Sequence, residues 1–173
     1  MATIDQFKAQ LIGGGARANQ FRVILNTPPG IATGLPLGTS SFFIKAASLP
    51  GQTIPEITVN FRGRQLFLAG DRTFETWTTT VLNDTDFAIR NGMERWMNGI
   101  NDLDTNTGVT NVTEYTADMV VQQLDRDDTV LKQYTLTSCW PQALAQIELS
   151  MDTVSDIENF DITWRYTSFN AGV

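Results

Sequence analysis

The sequence predicts a mainly β protein, an antiparallel β-sandwich or open barrel with one flanking α-helix. Three observations predict it. Ile57, Val59 and Phe61 alternate with Thr58, Asn60 and Arg62, and Phe160, Ile162, Trp164 and Tyr166 alternate with Asp161, Thr163, Arg165 and Thr167. A period of two marks a strand with one face buried. The run from Phe74 to Leu82 is dense in β-branched and aromatic residues, which suit a pleated surface. One segment alone has the helical period: Ile89, Met93, Trp96 and Ile100 fall on one stripe.

Taken in order, the chain begins with a stretch to about Asn19 that contains Gly13-Gly14-Gly15. No Gly-Lys-Ser/Thr follows, so this is no phosphate loop, and a glycine run of this kind reads as a flexible hinge. Residues 1–18 are therefore expected to be a flexible N-terminal arm on a single domain spanning 1–173. Phe21 to Asn26 reads as the first strand, and the Gly-, Pro- and Thr-rich stretch from Thr27 to Ser40 as a loop. Phe42 to Ala46 reads as a second strand, ended by the turn signal Leu49-Pro50-Gly51. A half-buried strand then runs to Gly63, and Gly70-Asp71 marks a turn before the strand from Phe74, with Trp77 and Val81 on one face.

The helical stripe from Ile89 to Ile100 can be capped by Asp84, Thr85 and Asp86, whose charges suit the positive end of the helix dipole. Gly99 reads as its stop signal. After a polar loop from Asn101 to Asn111, the runs Thr116 to Leu124 and Thr129 to Cys139 flank Asp125-Arg126-Asp127-Asp128, a hairpin turn. Ile147, Leu149 and Met151 alternate with Glu148 and Ser150 as a further strand, and Phe160 to Thr167 is the cleanest strand of all.

Composition narrows the function. The chain has 173 residues, 42% hydrophobic and 18% charged, which is globular rather than disordered. No apolar run approaches the roughly 20 residues that span a bilayer, and the N-terminal residues lack a secretory pattern, so the expectation is a soluble protein. Histidine is absent and Cys139 is the single cysteine. Internal disulfides, cysteine-rich zinc sites, Ser-His-Asp and Cys-His catalysis are thereby excluded, and no catalytic, metal or cofactor site is assigned. A net charge of −7 opposes tight nucleic-acid binding.

Candidate constellations resolve into structural readings. Asp102, Asp104 and Asn106 alternate as calcium ligands do, but Thr107 and Thr113 stand where an EF-hand needs Gly and Glu. Asp125, Asp127 and Asp128 read as a hairpin end. Cys139 reads as a small buried hydrophobe. Asp71-Arg72 is either an ion pair holding a turn or a contact to a neighbouring chain. The strands Thr73 to Leu82 and Thr129 to Cys139 are long with few charges, chiefly Glu75 and Lys132. Such strands at a sheet edge invite pairing between subunits, so an oligomer is expected.

Lys45-Ala46, Leu49-Pro50-Gly51, the block Ala69-Gly70-Asp71-Arg72-Thr73-Phe74, Trp77-Thr78 and Asn83-Asp84 together resemble the tail tube protein of T-even-like contractile-tailed phages. Trp96, Trp140-Pro141 and the strand from Phe160 to Tyr166 extend the resemblance, which covers the chain from about Asn19 onward. The glycine-bearing arm and the loop from Thr27 to Ser41 depart from the pattern. The resemblance implies a non-enzymatic virion protein, made and assembled in the host cytoplasm. It implies hexameric rings stacked into an inner tube, a surrounding sheath, a baseplate initiator, a tape-measure protein and passage of DNA through the lumen. By the same resemblance, Ser48, Leu49, Pro50, Gly51, Gln52, Thr53, Ile54, Pro55 and Glu56 are expected to reach the adjacent ring, and Gly70, Asp71, Arg72, Thr73 and Phe74 form the family motif. The acidic balance suits an acidic lumen. Two alternatives stand beside this reading: the tube of a type VI or extracellular contractile injection system, and a carbohydrate-binding β-sandwich, which would expose loop aromatics.

Overall fold

Alternating apolar residues from seven strands and one helix stripe meet in a shared core in the computed structural model, which describes residues 3–11, 15–152 and 155–172. In chain order the elements are α1 (Ile4–Gln10), β1 (Phe21–Ile24), the single turn α2 (Leu37–Ser40), a 3-10 turn (Ser41–Phe43), β2 (Ile44–Ala47) and β3 (Gln52–Thr53). Then come β4 (Glu56–Phe61), β5 (Arg64–Ala69), β6 (Thr73–Phe74), β7 (Trp77–Leu82), α3 (Ala88–Ile100) and α4 (Val112–Tyr115). The chain closes with β8 (Ala117–Leu124), β9 (Val130–Leu144), β10 (Asn159–Arg165) and β11 (Ser168–Gly172).

All pairing is antiparallel, as the alternation requires. One sheet runs β1–β8–β9–β11 and the other β9–β10–β7–β2. The 15-residue β9 belongs to both: its first half pairs with β11, its second with β10. Ser138, at φ 54°, sits where β9 passes from one to the other, and the β8–β9 register slips there, the local bend that a bulge produces. The result is the expected antiparallel sandwich or open barrel with a packed helix.

The core faces follow the period of two. Trp77, Thr79 and Val81 of β7 and Phe160, Ile162 and Trp164 of β10 point inward, with Val23, Met119, Val121 and Leu136 opposite. The α3 stripe supplies Ile89, Met93 and Trp96, all buried, with Ile100 packed at its edge. Trp164 is the centre of an aromatic group, 6.3 Å from Trp77 and 5.6 Å from Trp96 between ring centroids. Each of these indoles has a partner for its N–H: Ser48 O at 2.7 Å for Trp77, Tyr115 O at 2.8 Å for Trp96 and Thr79 Oγ1 at 3.0 Å for Trp164. A buried indole needs one, because an orphaned donor has no water to return to.

Several expectations need correction. The strand from Phe42 starts only at Ile44, because Ser41–Phe43 closes a 3-10 turn. Asp84 does cap α3, accepting from the Ala88 amide at 3.2 Å, but Phe87 holds the N-cap position in a left-handed conformation and Thr85 and Asp86 take no part in the cap. Gly99 does not stop the helix, which continues to Ile100. Its missing side chain serves close approach instead, since a Cβ there would come within 2.7 Å of Ile31.

Ile147, Leu149 and Met151 form no strand. They lie in irregular chain, with Leu149 and Met151 exposed, so their alternation reflects no pleat. The strands β7 and β9, expected at edges, are interior ones; the edges belong to β1, β2 and β11. Within the expected arm, Ile4–Gln10 forms a helix capped by Thr3. Gly13 and Gly14 of the expected hinge lie outside the described residues.

Candidate assembly surface

The turn Phe61-Arg62-Gly63-Arg64 sets the site. Arg62 and Gly63 both have positive φ, 45° and 79°, the two-residue geometry whose twist matches paired strands. It closes a hairpin in which Glu56↔Ala69, Ile57↔Leu68, Thr58↔Phe67, Val59↔Leu66, Asn60↔Gln65 and Phe61↔Arg64 are opposite. Opposite residues share a face. One face therefore gathers Ile57, Val59, Phe61, Leu66 and Leu68, and the other Thr58, Asn60, Gln65 and Phe67.

That apolar face lies open. The half-buried strand predicted at Ile57, Val59 and Phe61 has the right period but no core beneath it: every residue of β4 and β5 is exposed, the large apolar ones from 42% at Val59 to 67% at Phe61. The hairpin leaves the body of the protein. Arg62 lies over the Phe61 ring at 5.3 Å and Arg64 faces it across the pair, so the tip is both aromatic and cationic.

The two segments singled out in the sequence, 48–56 and 70–74, come together as the two limbs of the hairpin's stem. Gln52 pairs with Phe74 and Thr53 with Thr73. The Gly70 amide donates to Pro55 O at 2.7 Å. Trp77 donates to Ser48 O, Tyr166 Oη to Gly51 O at 3.4 Å, and Arg165 Nη1 to Phe74 O at 3.2 Å. Phe74 packs on Tyr166 and Phe169, at 5.9 and 5.5 Å between centroids. The stem is thus bolted to the edge of the core, while the hairpin it carries is free on both faces. Asp71 and Arg72 are exposed, and the ion pairs among the described residues are Lys8–Asp5 and Arg90–Glu94, so the turn is not held by Asp71–Arg72.

Sequence reasoning missed the second strand of this hairpin, Arg64–Ala69, and with it Leu66 and Leu68. The Gly63 that read as a strand's end was the signal available, since a glycine in a two-residue turn starts a return strand.

The remaining constellations are structural. Asp102 accepts from the Thr105 amide and hydroxyl, both at 2.9 Å, from the Asp104 amide at 3.1 Å and from Asn98 Nδ2 at 3.0 Å. Those bonds, the Thr105 amide foremost, hold its carboxyl below the usual range. Its oxygens serve their own loop rather than a cation. No group of three or more His, Cys, Asp or Glu among the described residues is placed to hold a metal ion. Cys139 is fully buried, and burial pushes its thiol up to about 12. Trp77, Trp96 and Trp164 are core residues and Trp140 is half-buried, so the loops do not present the tryptophans a sugar site would use.

Comparison with known proteins gives a consistent result. The family model described as phage tail tube protein matches residues 16–172. The tail tube protein of Serratia phage KSP90 is 33% identical over 168 residues, covering 96% of this chain and 95% of the relative. Tail tube protein gp19 of Enterobacteria phage T4 is 31% identical, covering 92% and 93%. Among solved structures, a chain of the sheath–tube complex of the extracellular contractile injection system PVC in its extended state superposes with a TM-score of 0.64 at 12% identity over 99% of both chains. A chain of the anti-feeding prophage cap, its tube-terminating cap, reaches 0.66 at 15% identity over 91% of each.

Proposed function

This chain belongs to the phage tail tube protein family, and from that premise we propose that its copies close into hexameric rings stacked as the inner tube of a contractile tail. The observation that carries the proposal is the uncovered apolar face of Ile57, Val59, Phe61, Leu66 and Leu68. A monomer gains nothing from holding five large apolar side chains in water on a rigid hairpin, and such contiguous patches mark association surfaces. The stem segments 48–56 and 70–74 set the angle at which the hairpin meets its neighbour.

Ring closure has its own physical logic. The edges of β1, β2 and β11 leave backbone donors and acceptors unpaired within one chain. Contacts between copies around a closed ring remove such edges, and a heterologous contact that closes by rotation makes a ring. The helix Ile4–Gln10, which buries none of its residues and leaves Ile4 and Phe7 exposed, serves as an arm to an adjacent copy. A net charge of −7 suits a lumen along which DNA slides without sticking. The tube's partners are then the sheath outside it, a baseplate protein that starts it and a tape-measure protein that sets its length. The injection-system alternative is disfavoured, because the phage relatives share 31–33% of residues and the injection-system chains 12–15%.

Negative-stain electron microscopy of the purified protein over a concentration series, with and without a baseplate template, tests this reading. Rings or tubes with a stain-filled centre are expected. Monomers under every condition would overturn it.

A further inference from the structure

A second surface lies at the far end of the same sheet from the hairpin. In the β7–β10 pair, Trp77 stands opposite Trp164 at one end and Leu82 opposite Asn159 at the other. The hairpin stem joins the sheet at the Trp77 end, where Arg165 binds Phe74 O. At the Leu82 end, five residue steps or roughly 17 Å away, a cleft of about 730 Å³ opens between the segments 145–151 and 156–161.

The character of this cleft is the complement of the hairpin tip. Its lining carries Glu148, Asp156, Glu158 and Asp161, and no basic side chain. Two of these are already engaged: Glu158 accepts from Asn83 Nδ2 at 3.0 Å and Asp161 from Thr80 Oγ1 at 2.6 Å. Arg90, which packs over Phe160 beside the cleft, is turned to Glu94 and Ala145 O. Leu149, Met151 and Ile157 stand exposed around the acids. The tip offers the matching set, Phe61 flanked by Arg62 and Arg64, free of the body.

We propose that this acidic, apolar-rimmed cleft is the socket for the Phe61–Arg64 hairpin tip of a second copy of this chain. The proposal rests on the reading of the hairpin as an assembly arm and names what receives it. With knob and socket at opposite ends of one sheet, each copy presents a free socket after its own knob is bound. A contact between unlike surfaces that does not close on itself repeats along an axis, so it carries growth in the stacking direction. Phe61, Leu149, Met151 and Ile157 supply the desolvated contact, and Arg62 and Arg64 against Glu148 and Asp156 fix its register and exclude the reverse orientation.

The test has two parts. The first is cross-linking between two differently tagged variants, Phe61→Cys and Ile157→Cys, mixed at high concentration under mild oxidation. A disulfide-linked heterodimer is expected in the mixture, while each variant alone gives no such product. Cys139 does not compete, because it is fully buried. Failure of the mixture to exceed either variant alone overturns the socket.

The second part is charge reversal, read as tube yield. Arg62→Asp with Arg64→Glu, and separately Glu148→Arg with Asp156→Arg, are each expected to lower yield by about tenfold or more, and the combined reversal to restore most of it. Asp is chosen at 62 because it tolerates positive φ. If the hairpin reversals abolish tubes while the cleft reversals leave yield unchanged, the socket is wrong and the assembly arm stands. If the hairpin reversals also leave yield unchanged, and deletion of 57–68 does too, the assembly reading itself falls.

Discussion

Gly70 and Pro55 meet backbone to backbone across the stem of the hairpin. The Gly70 amide donates to Pro55 O at 2.7 Å, and a Cβ on Gly70 would lie 2.8 Å from that same oxygen. Proline at 55 has no amide of its own to return, so this single bond closes the stem between the β3–β6 pair and the hairpin proper. Only glycine permits the approach. The aim of five exposed apolar side chains thus depends on one absent methyl group.

Gly70→Ala is therefore expected to open the stem without unfolding the core. The backbone must shift by several tenths of an ångström, and the strain of about 1–2 kcal/mol falls on the hairpin, which makes few contacts with the body. Amide exchange should accelerate at residue 70 and in β4–β5 while the protection of β7, β8 and β10 is unchanged. Tube yield should fall. Retained protection at residue 70 would mean that the stem yields more easily than this contact implies.

The legibility of the fold divides along a physical line. Strands such as Phe160 to Tyr166 and the α3 stripe were readable because each buries one face within a single chain, and period then reports burial. The β4–β5 hairpin was half readable for the same reason in reverse: Ile57, Val59 and Phe61 alternate over a face that their own chain leaves exposed, and sequence period cannot say whether a face has a core beneath it. The short β11 carries Asn170 and Gly172 and too little alternation to declare itself. The placing of β7 and β9 inside their sheets depends on long-range pairing, which local charge content does not encode. The stem was recognisable only as motif residues, 48–56 and 70–74; that they touch is a matter of tertiary distance.

Thr79 and Trp164 form a buried pair whose partners are easily separated. Trp164 Nε1 donates to Thr79 Oγ1 at 3.0 Å, and both residues have 0% exposure. Thr79→Val preserves shape but strands the indole N–H, at an expected cost of about 1–3 kcal/mol in denaturant unfolding. Trp164→Phe removes the donor and should cost more, through lost volume. In the double variant the loss should be less than the sum of the two, since no donor remains to be stranded. Strict additivity would show that the bond contributes little.

Cys139 gives a pH dependence with a definite sign. Burial lifts its thiol from an ordinary 9.0 to about 12. Below pH 9 folded and unfolded chains both hold the proton, and the full stability is present. Between pH 9 and 12 the unfolded chain releases it while the folded chain does not, so stability falls as pH rises, by about 1.4 kcal/mol per unit at most. Cys139→Ala should lower stability at neutral pH by leaving a small void, yet show a shallower decline above pH 9. Urea titrations of both proteins at pH 7, 9 and 10 read the difference. Parallel declines would mean that the thiol ionises in the folded protein as readily as in water.

The apolar face of the hairpin separates stability from assembly most sharply. Val59 and Leu66 are directly opposite on that face, 42% and 56% exposed, and contribute little to the core of their own chain. Replacing an exposed side chain away from special features changes folding stability by roughly 0.5 kcal/mol or less. Val59→Lys with Leu66→Glu keeps the strands paired through a cross-strand ion pair, which offsets part of the lost apolar contact between them. Thermal unfolding should therefore hardly move. Association is different, because any partner must now desolvate two charges to close on the face, and loss of such a central contact costs 2 kcal/mol or more, on the order of a thirtyfold loss in affinity for each contact. Sedimentation velocity at matched concentrations should show the variant monomeric where the parent assembles. Assembly at the parent's concentration, with unfolding unchanged, would mean the face stays in water throughout the tube.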